Sequence, residues 1–354
     1  MTSATAFLAS IDDSLGPAQR RFFGDGHRRV DYRFGDVVVA PGPPGSGTIT
    51  ATASVICPPD WSKKGDTDQR PHLSTIDALV IGARLGELFL TRRHGLSERE
   101  RAAMWVRRIE IRAGNAPDEE NLEALSAEAR LRTTREDEAD PSAALSVLDC
   151  TVGGMRVRCD IVHPAGRLCE SGHATYDTGL ADLPAGVYGE GFKHRRQPIT
   201  EVTVDLERQR ADATVTVVPV PGAHRSAVGL EGAYQPSVSF VDAFVVALQM
   251  GQALLYGLDN VERARSNTLW MRRTVLECES PDRPAADPFA VTTELTDSTL
   301  LDVRGALWRT ADITSTCAGI RVMCSVTHEI PRLAATAAGR APAPTPLVDK
   351  AVRT

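Results

Sequence analysis

Ser239-Phe-Val-Asp242-Ala-Phe-Val-Val-Ala-Leu-Gln249-Met-Gly251-Gln252-Ala-Leu-Leu255 restates the plan of an earlier stretch, Ser74-Thr-Ile-Asp77-Ala-Leu-Val-Ile-Gly-Ala-Arg84-Leu-Gly86-Glu87-Leu-Phe-Leu90. Asp77 and Asp242 stand 165 positions apart (242 − 77), and the same offset carries Trp105-Val-Arg-Arg108 onto Trp270-Met-Arg-Arg273. It also carries Gly154-Met-Arg-Val-Arg-Cys-Asp-Ile-Val-His163 onto Gly319-Ile-Arg-Val-Met-Cys-Ser-Val-Thr-His328. One offset without a gap over such a span means two copies of one unit.

Each copy opens on period-two strands, such as Val30, Tyr32 and Phe34 and then Gly47–Ile56, matched later by Ala213–Val220. The long segment headed by Ser74 or Ser239 follows, and further strands close the unit at His163 or His328. The two long segments are apolar nearly all round, and a helix of that kind must be covered on several sides. A curved antiparallel sheet folded round one central helix supplies the cover, and two such units side by side can join sheets and bury an edge. The expected architecture is therefore α+β, a double hot-dog. Residues 1–30 are expected to form a capping segment with a short amphipathic helix, 31–165 the first unit, 166–195 a linker, 196–330 the second unit and 331–354 a disordered tail rich in Pro and Ala.

The 354 residues suit two domains of ordinary size. A net charge of −6 and an aromatic share of 5% leave neither a basic footprint nor stacking platforms, which excludes nucleic acid as the expected partner. Seven cysteines without a C-x-x-C pair read as reduced thiols. The first residues lack the basic, then apolar, pattern of a signal peptide, so the expectation is a cytoplasmic protein with no membrane partner. No metal is expected, since no His/Cys cluster has ligand spacing, and nucleotide and serine-hydrolase motifs are missing.

Polar residues inside a wrapped helix need a reason. Ser74-x-x-Asp77 and Ser239-x-x-Asp242 each match a capping box, with the carboxylate at the positive end of the helix. The same carboxylates, desolvated at a cleft, are candidates for general acid–base work. Asp77 and Arg84, like Asp242 and Gln249, lie two turns apart on nearly one face. His72 has only Ser237 as its counterpart, while Arg84 and Glu87 become Gln249 and Gln252, so one copy is expected to keep a chemistry the other has lost. The candidate catalytic residues are thus Asp242, Asp77 and His72, and the candidate substrate-binding residues Arg84, Gln249, Glu87, Trp105 and Trp270. His163 and His328, each ending an apolar strand face, read as structural histidines.

Asp77-Ala78 and Asp242-Ala243 resemble the helix heads of hot-dog dehydratases and thioesterases, although the dehydratase signature His-x-x-x-Gly-x-x-x-x-Pro is missing. The opening Ser10–Val30 together with the duplicated units resembles the avirulence-D (AvrD) family over most of the chain. That resemblance implies an enzyme of bacterial specialised metabolism that joins a β-ketoacyl group to a small sugar to give syringolide-like acyl glycosides. The related A-factor biosynthesis proteins also look like tandem hot-dogs. No cofactor is expected beyond an acyl-CoA or acyl carrier protein thioester as co-substrate. The expected partners are that acyl substrate and a sugar-like acceptor, with a homodimer left open. Two other readings stay open here: a dehydratase or thioesterase on a carrier-bound chain, and a non-catalytic module that binds an acyl ligand.

Overall fold

The computed structural model describes residues 5–331 apart from 41, 44, 65, 167–173, 177–185, 223–226 and 267. The expected disordered tail lies outside the described residues, save its first residue, Pro331. The strands of the main sheet are β1 (Thr5–Ser10), β2 (Asp31–Ala40), β3 (Thr48–Ile56), β4 (Trp105–Arg112), β5 (Leu125–Glu136), β6 (Ala143–Val152) and β7 (Met155–Pro164), then β8 (Ala174–Tyr176), β9 (Ile199–Asp205), β10 (Arg210–Val215), β11 (Trp270–Glu277), β12 (Phe289–Val303), β13 (Ala306–Cys317) and β14 (Ile320–Glu329). Two long helices, α1 (Thr75–His94) and α2 (Phe240–Asp259), interrupt them at matching places.

All fourteen strands form one antiparallel sheet in the order β1-β9-β10-β12-β13-β14-β11-β4-β7-β6-β5-β3-β2-β8. Read outward from the centre, one half runs β4-β7-β6-β5-β3-β2 and the other β11-β14-β13-β12-β10-β9, which is the same order in the two copies. The copies join where β4 pairs with β11, from Arg112 opposite Arg273 to Arg108 opposite Glu277. Arg273 also reaches across that seam to Glu110 at 2.9 Å. This is the α+β double hot-dog that the repeat and the apolar helices call for.

The helices pack on the sheet, α1 mainly on β6 and β7, and α2 on β12 and β13. Glycines at the 165-residue offset set how closely they lie. A Cβ on Gly86 would come within 2.6 Å of Ile161, and one on Gly251 within 2.6 Å of Ile313. By length and composition α2 could cross a membrane, yet 89% of its most apolar window is buried in this fold, which accounts for that character.

The beginning of the chain departs from expectation. Instead of a capping helix, Thr5–Ser10 is a strand that pairs antiparallel with β9, and the helical parts are short, one α-turn at Asp12–Leu15 and 3-10 turns at Ala18–Arg20 and Gly26–Arg29. Gly16, at φ 79°, and Pro17 end that helix after one turn, and the open edge of β9 offers the preceding residues a full set of backbone partners. The stretch Ala213–Val220 also breaks early. β10 stops at Val215, and Val218–Pro219 pairs instead with Arg195–Arg196.

Candidate active site

Both helix heads carry the capping box that their sequence spells. Ser74 Oγ accepts from the Asp77 amide at 3.2 Å while Asp77 Oδ2 accepts from the Ser74 amide at 2.7 Å, and Ser239 with Asp242 repeats both distances. Around these boxes the copies diverge. Asp77 is fully buried and takes a hydrogen bond from Tyr32 Oη at 2.6 Å. Burial pushes its pKa up, against the pull of the Tyr32 and Ser74 donors. Asp242 instead faces Arg195 at 3.1 Å and accepts from Gln197 Nε2 at 2.6 Å, so each of its oxygens is engaged.

The head of α1 opens on a cavity. This cavity, about 310 Å³, lies between that head, the second half of α2 at Gln252 and Tyr256, the start of β11 and the Trp61–Gln69 hairpin. Phe22, Phe23, Leu73, Leu269 and Met271 give it its apolar wall; Arg21, Lys64, Arg70 and Arg263 bring cations to its lining and Asp118 and Glu119 carboxylates, with His72 beside them. The corresponding place at the head of α2 is filled by Arg195 and Gln197 and by Ser237, the counterpart of His72, whose carbonyl accepts from Arg195 at 2.7 Å.

Of the residues singled out from sequence, His72 and Trp270 line the cavity. His72 Nδ1 sits 3.2 Å from the Arg70 carbonyl, so that nitrogen is the donor, and in the neutral ring the lone pair is on Nε2. Its ring packs edge-on to Trp61, centroids 5.3 Å apart. Trp270 is 39% exposed, whereas its counterpart Trp105 is buried with the Arg107 guanidinium 5.0 Å from its ring centroid. Gln249 lies behind the wall, where it accepts from Arg21 Nη1 at 2.6 Å. Arg84 and Glu87 are not brought to the cavity. They form a buried cluster in which Glu87 meets Arg84 at 3.5 Å, Arg101 at 3.3 Å and the Leu230 amide at 3.1 Å. Asp77 likewise stands behind Ser74 and Thr75 rather than among the lining residues.

Sequence reading missed Arg21, Lys64 and Arg263, because they come from segments up to 242 positions apart (263 − 21) that carry no motif of their own. It also missed Glu231, which is buried with φ 65° and pairs with Arg283 at 2.7 Å while accepting from Tyr188 Oη and the Val106 amide, both at 3.2 Å.

The histidines at the strand ends are structural. His163 donates from Nδ1 to the Pro164 carbonyl at 2.8 Å and accepts from Ser146 Oγ at 2.8 Å, which is the bonding of a neutral ring. Burial, helped by the nearby His94, brings its pKa down to about 4; burial alone accounts for most of the same fall at His27. Both groups are depressed below their ordinary 6.5, so the stability they confer is present above pH 6.5 and is lost as pH falls towards 4. Thermal midpoints should therefore drop steadily from pH 7 to pH 4.5, and His163→Gln should flatten the fall. Asp77, with its raised pKa, acts in the opposite sense, which is why the variant comparison and not the bare profile is the check.

Two units that each wrap a helix in antiparallel sheet, fused through one seam, define a double hot-dog protein, and the head of α1 carries its candidate site. The chain belongs to the Pseudomonas avirulence D protein (AvrD) family, whose profile matches residues 6–331. Among solved structures it is similar to a putative oleoyl thioesterase from Lactobacillus plantarum, at 9% identity and a TM-score of 0.39, covering 83% of this chain and 100% of that one. It is also similar to the tesB protein MAP1729c of Mycobacterium avium subs paratuberculosis (8%, TM-score 0.35, 80% and 93%). A third similar structure is the H959F variant of the PpsC dehydratase domain from Mycobacterium tuberculosis (12%, TM-score 0.33, 82% and 95%). Among curated proteins no match is found.

Proposed function

We propose that this protein is a cytoplasmic biosynthetic enzyme that joins a β-ketoacyl thioester to a small sugar or polyol, giving an acyl glycoside of the syringolide kind. The observation that supports this reading is the cavity itself: an apolar wall long enough for part of an acyl chain, with a histidine whose free Nε2 stands at a helix head. Six free cysteines among the described residues agree with a reducing compartment.

In the proposed reaction the acyl chain lies against Phe22, Phe23 and Leu269, and the thioester carbonyl points at the first turn of α1. The amide of Thr75, which lines the cavity, has no intrahelical acceptor there, and it can hydrogen-bond the oxyanion that forms on attack. His72 Nε2 takes the proton of the acceptor hydroxyl as its oxygen bonds to the carbonyl carbon. Collapse of the tetrahedral intermediate breaks the C–S bond, and the imidazolium returns the proton to the departing thiolate. Asp77 serves as a positioning residue that fixes the helix head through Ser74 and Tyr32. Asp242 and Arg195 hold the second head closed.

Purified protein given a β-ketoacyl-CoA and a pentulose should yield a condensed product detectable by mass spectrometry, and a carrier-protein thioester in the same assay identifies the preferred donor. Free acid released without acceptor would make the protein a thioesterase. Loss of water from a hydroxyacyl thioester would make it a dehydratase. No turnover with any donor would leave a module that only binds an acyl ligand.

A further inference from the structure

We propose that Gln252 is the residue that reads the oxygen on the β-carbon of the acyl chain, and so sets the choice of a β-ketoacyl donor over a plain acyl one; this rests on the reading of the cavity as the active site. The reaction above engages the thioester carbonyl and leaves the β-oxygen without a partner. A ketone oxygen carried into an apolar-walled cavity gives up its water, and a site that offers it no donor binds it more weakly. Gln252 has the place and the chemistry to be that donor. It lies on α2, is 8% exposed and lines the cavity, and its side-chain amide has no hydrogen-bond partner among the described residues. Gln249, one turn earlier on the same face of the helix, is by contrast engaged, accepting from Arg21 Nη1 at 2.6 Å and donating to the Val245 carbonyl at 3.0 Å. Arg21 leads directly into Phe22 and Phe23, so Gln252 stands on the side of the cavity where the acyl chain lies.

The duplication supplies an internal comparison. Glu87 holds the same position in α1 (252 − 165 = 87), and there the protein's own groups take up the side chain: the carboxylate accepts from the Leu230 amide at 3.1 Å and faces Arg101 at 3.3 Å and Arg84 at 3.5 Å. A side chain at this position therefore reaches beyond its own helix to whatever lies over it. In the second copy the carboxylate has become an amide and Arg84 has become Gln249, so the charges are gone. What remains at Gln252 is a neutral donor and acceptor, suited to an uncharged oxygen and not to an anion. Its NH2 can donate to a β-keto oxygen, and its carbonyl can accept from a β-hydroxyl. A β-methylene answers neither, and it leaves the amide buried against hydrocarbon.

Calorimetric titration of the full chain, with no acceptor present, tests this with three thioesters of one length: β-ketohexanoyl-CoA, β-hydroxyhexanoyl-CoA and hexanoyl-CoA. The β-keto thioester should bind at least about tenfold more tightly than hexanoyl-CoA, since a site built to hydrogen-bond a group rejects the analogue that lacks it. Gln252→Leu should bring the three affinities together by loss at the two oxygenated ligands. Gln252→Glu, which installs the residue of the first copy, should lose the β-keto ligand and keep the β-hydroxy one, because a carboxylate accepts from a hydroxyl and offers a ketone no proton. A residue that merely filled space would not reverse the order of two ligands. Thermal midpoints report whether each variant folds, and either one suffices if the other does not. Equal affinities of the unaltered protein for the β-keto and plain thioesters would overturn the subsite, as would a preference that survives the substitutions. Binding is read without turnover, so the two proposals fail separately: product formed without a β-keto preference removes the subsite alone, and a preference without product removes the condensation alone. Binding of none of the three would remove the acyl reading of the cavity and the subsite with it.

Discussion

Replacing His72 by glutamine is expected to lower the rate of acyl transfer by about 10²–10⁴-fold, the usual contribution of a positioned general base. The amide can still reach the Arg70 carbonyl and fill the space beside Trp61, but it has no lone pair basic enough to take the hydroxyl proton. The loss should appear in kcat with KM little changed, because the ring holds a proton and not the acyl chain. Asp242→Asn is the comparison, since its carboxylate is enclosed by Arg195 and Gln197 far from the apolar wall. A His72→Gln enzyme with more than a tenth of normal kcat, or an Asp242→Asn enzyme more impaired than it, would remove His72 from the base position.

The second large effect is expected in stability. Glu231→Ala should cost about 3–5 kcal/mol, the range for stranding one partner of a buried ion pair. The glutamate is fully buried, and without it the Arg283 guanidinium, the Tyr188 hydroxyl and the Val106 amide each lose an acceptor in a place water does not reach. Residue 231 sits in the left-handed region, so Glu231→Gly should fare somewhat better than alanine by relieving backbone strain while losing the same contacts. Urea denaturation of the three proteins checks the order. A loss under 1 kcal/mol for Glu231→Ala would mean that the Arg283 network contributes little.

Much of this fold was legible because duplication writes each signal twice. The Ser-x-x-Asp boxes, the twin glycines at 86 and 251 and the all-round apolar helices were each matched at one offset, and together they gave the sheet-wrapped helix and its partner. The asymmetry was legible too, in His72 opposite Ser237. What sequence could not supply is which polar residues of the helices turn towards a cavity. Arg84 shares a helical face with Asp77 on paper, yet it pairs with Glu87, which Arg101 and the Leu230 amide hold in a buried cluster. The N-terminal stretch misled for a related reason. Its amphipathic pattern is genuine, but a free sheet edge contributed by residues almost two hundred positions later outweighs a helix of one turn.

The pairing of Thr5–Ser10 with β9 bears on the order in which the molecule can be built. Ribosomes deliver the first hot-dog unit long before Thr200–Asp205 exist, so the leading residues, made first, must wait for the second unit to settle. Arg21, Phe22 and Phe23 come after that strand and the short helix Asp12–Leu15; Arg21 bonds Gln249 and Phe23 packs edge-on to Phe244 with centroids 5.9 Å apart. One wall of the cavity is therefore hung on the half of the protein synthesised last. A nascent chain released after His163 would own the helix head and its histidine but no complete chamber around them, and the chamber closes only once the second unit has been made and Thr5–Ser10 dock on it.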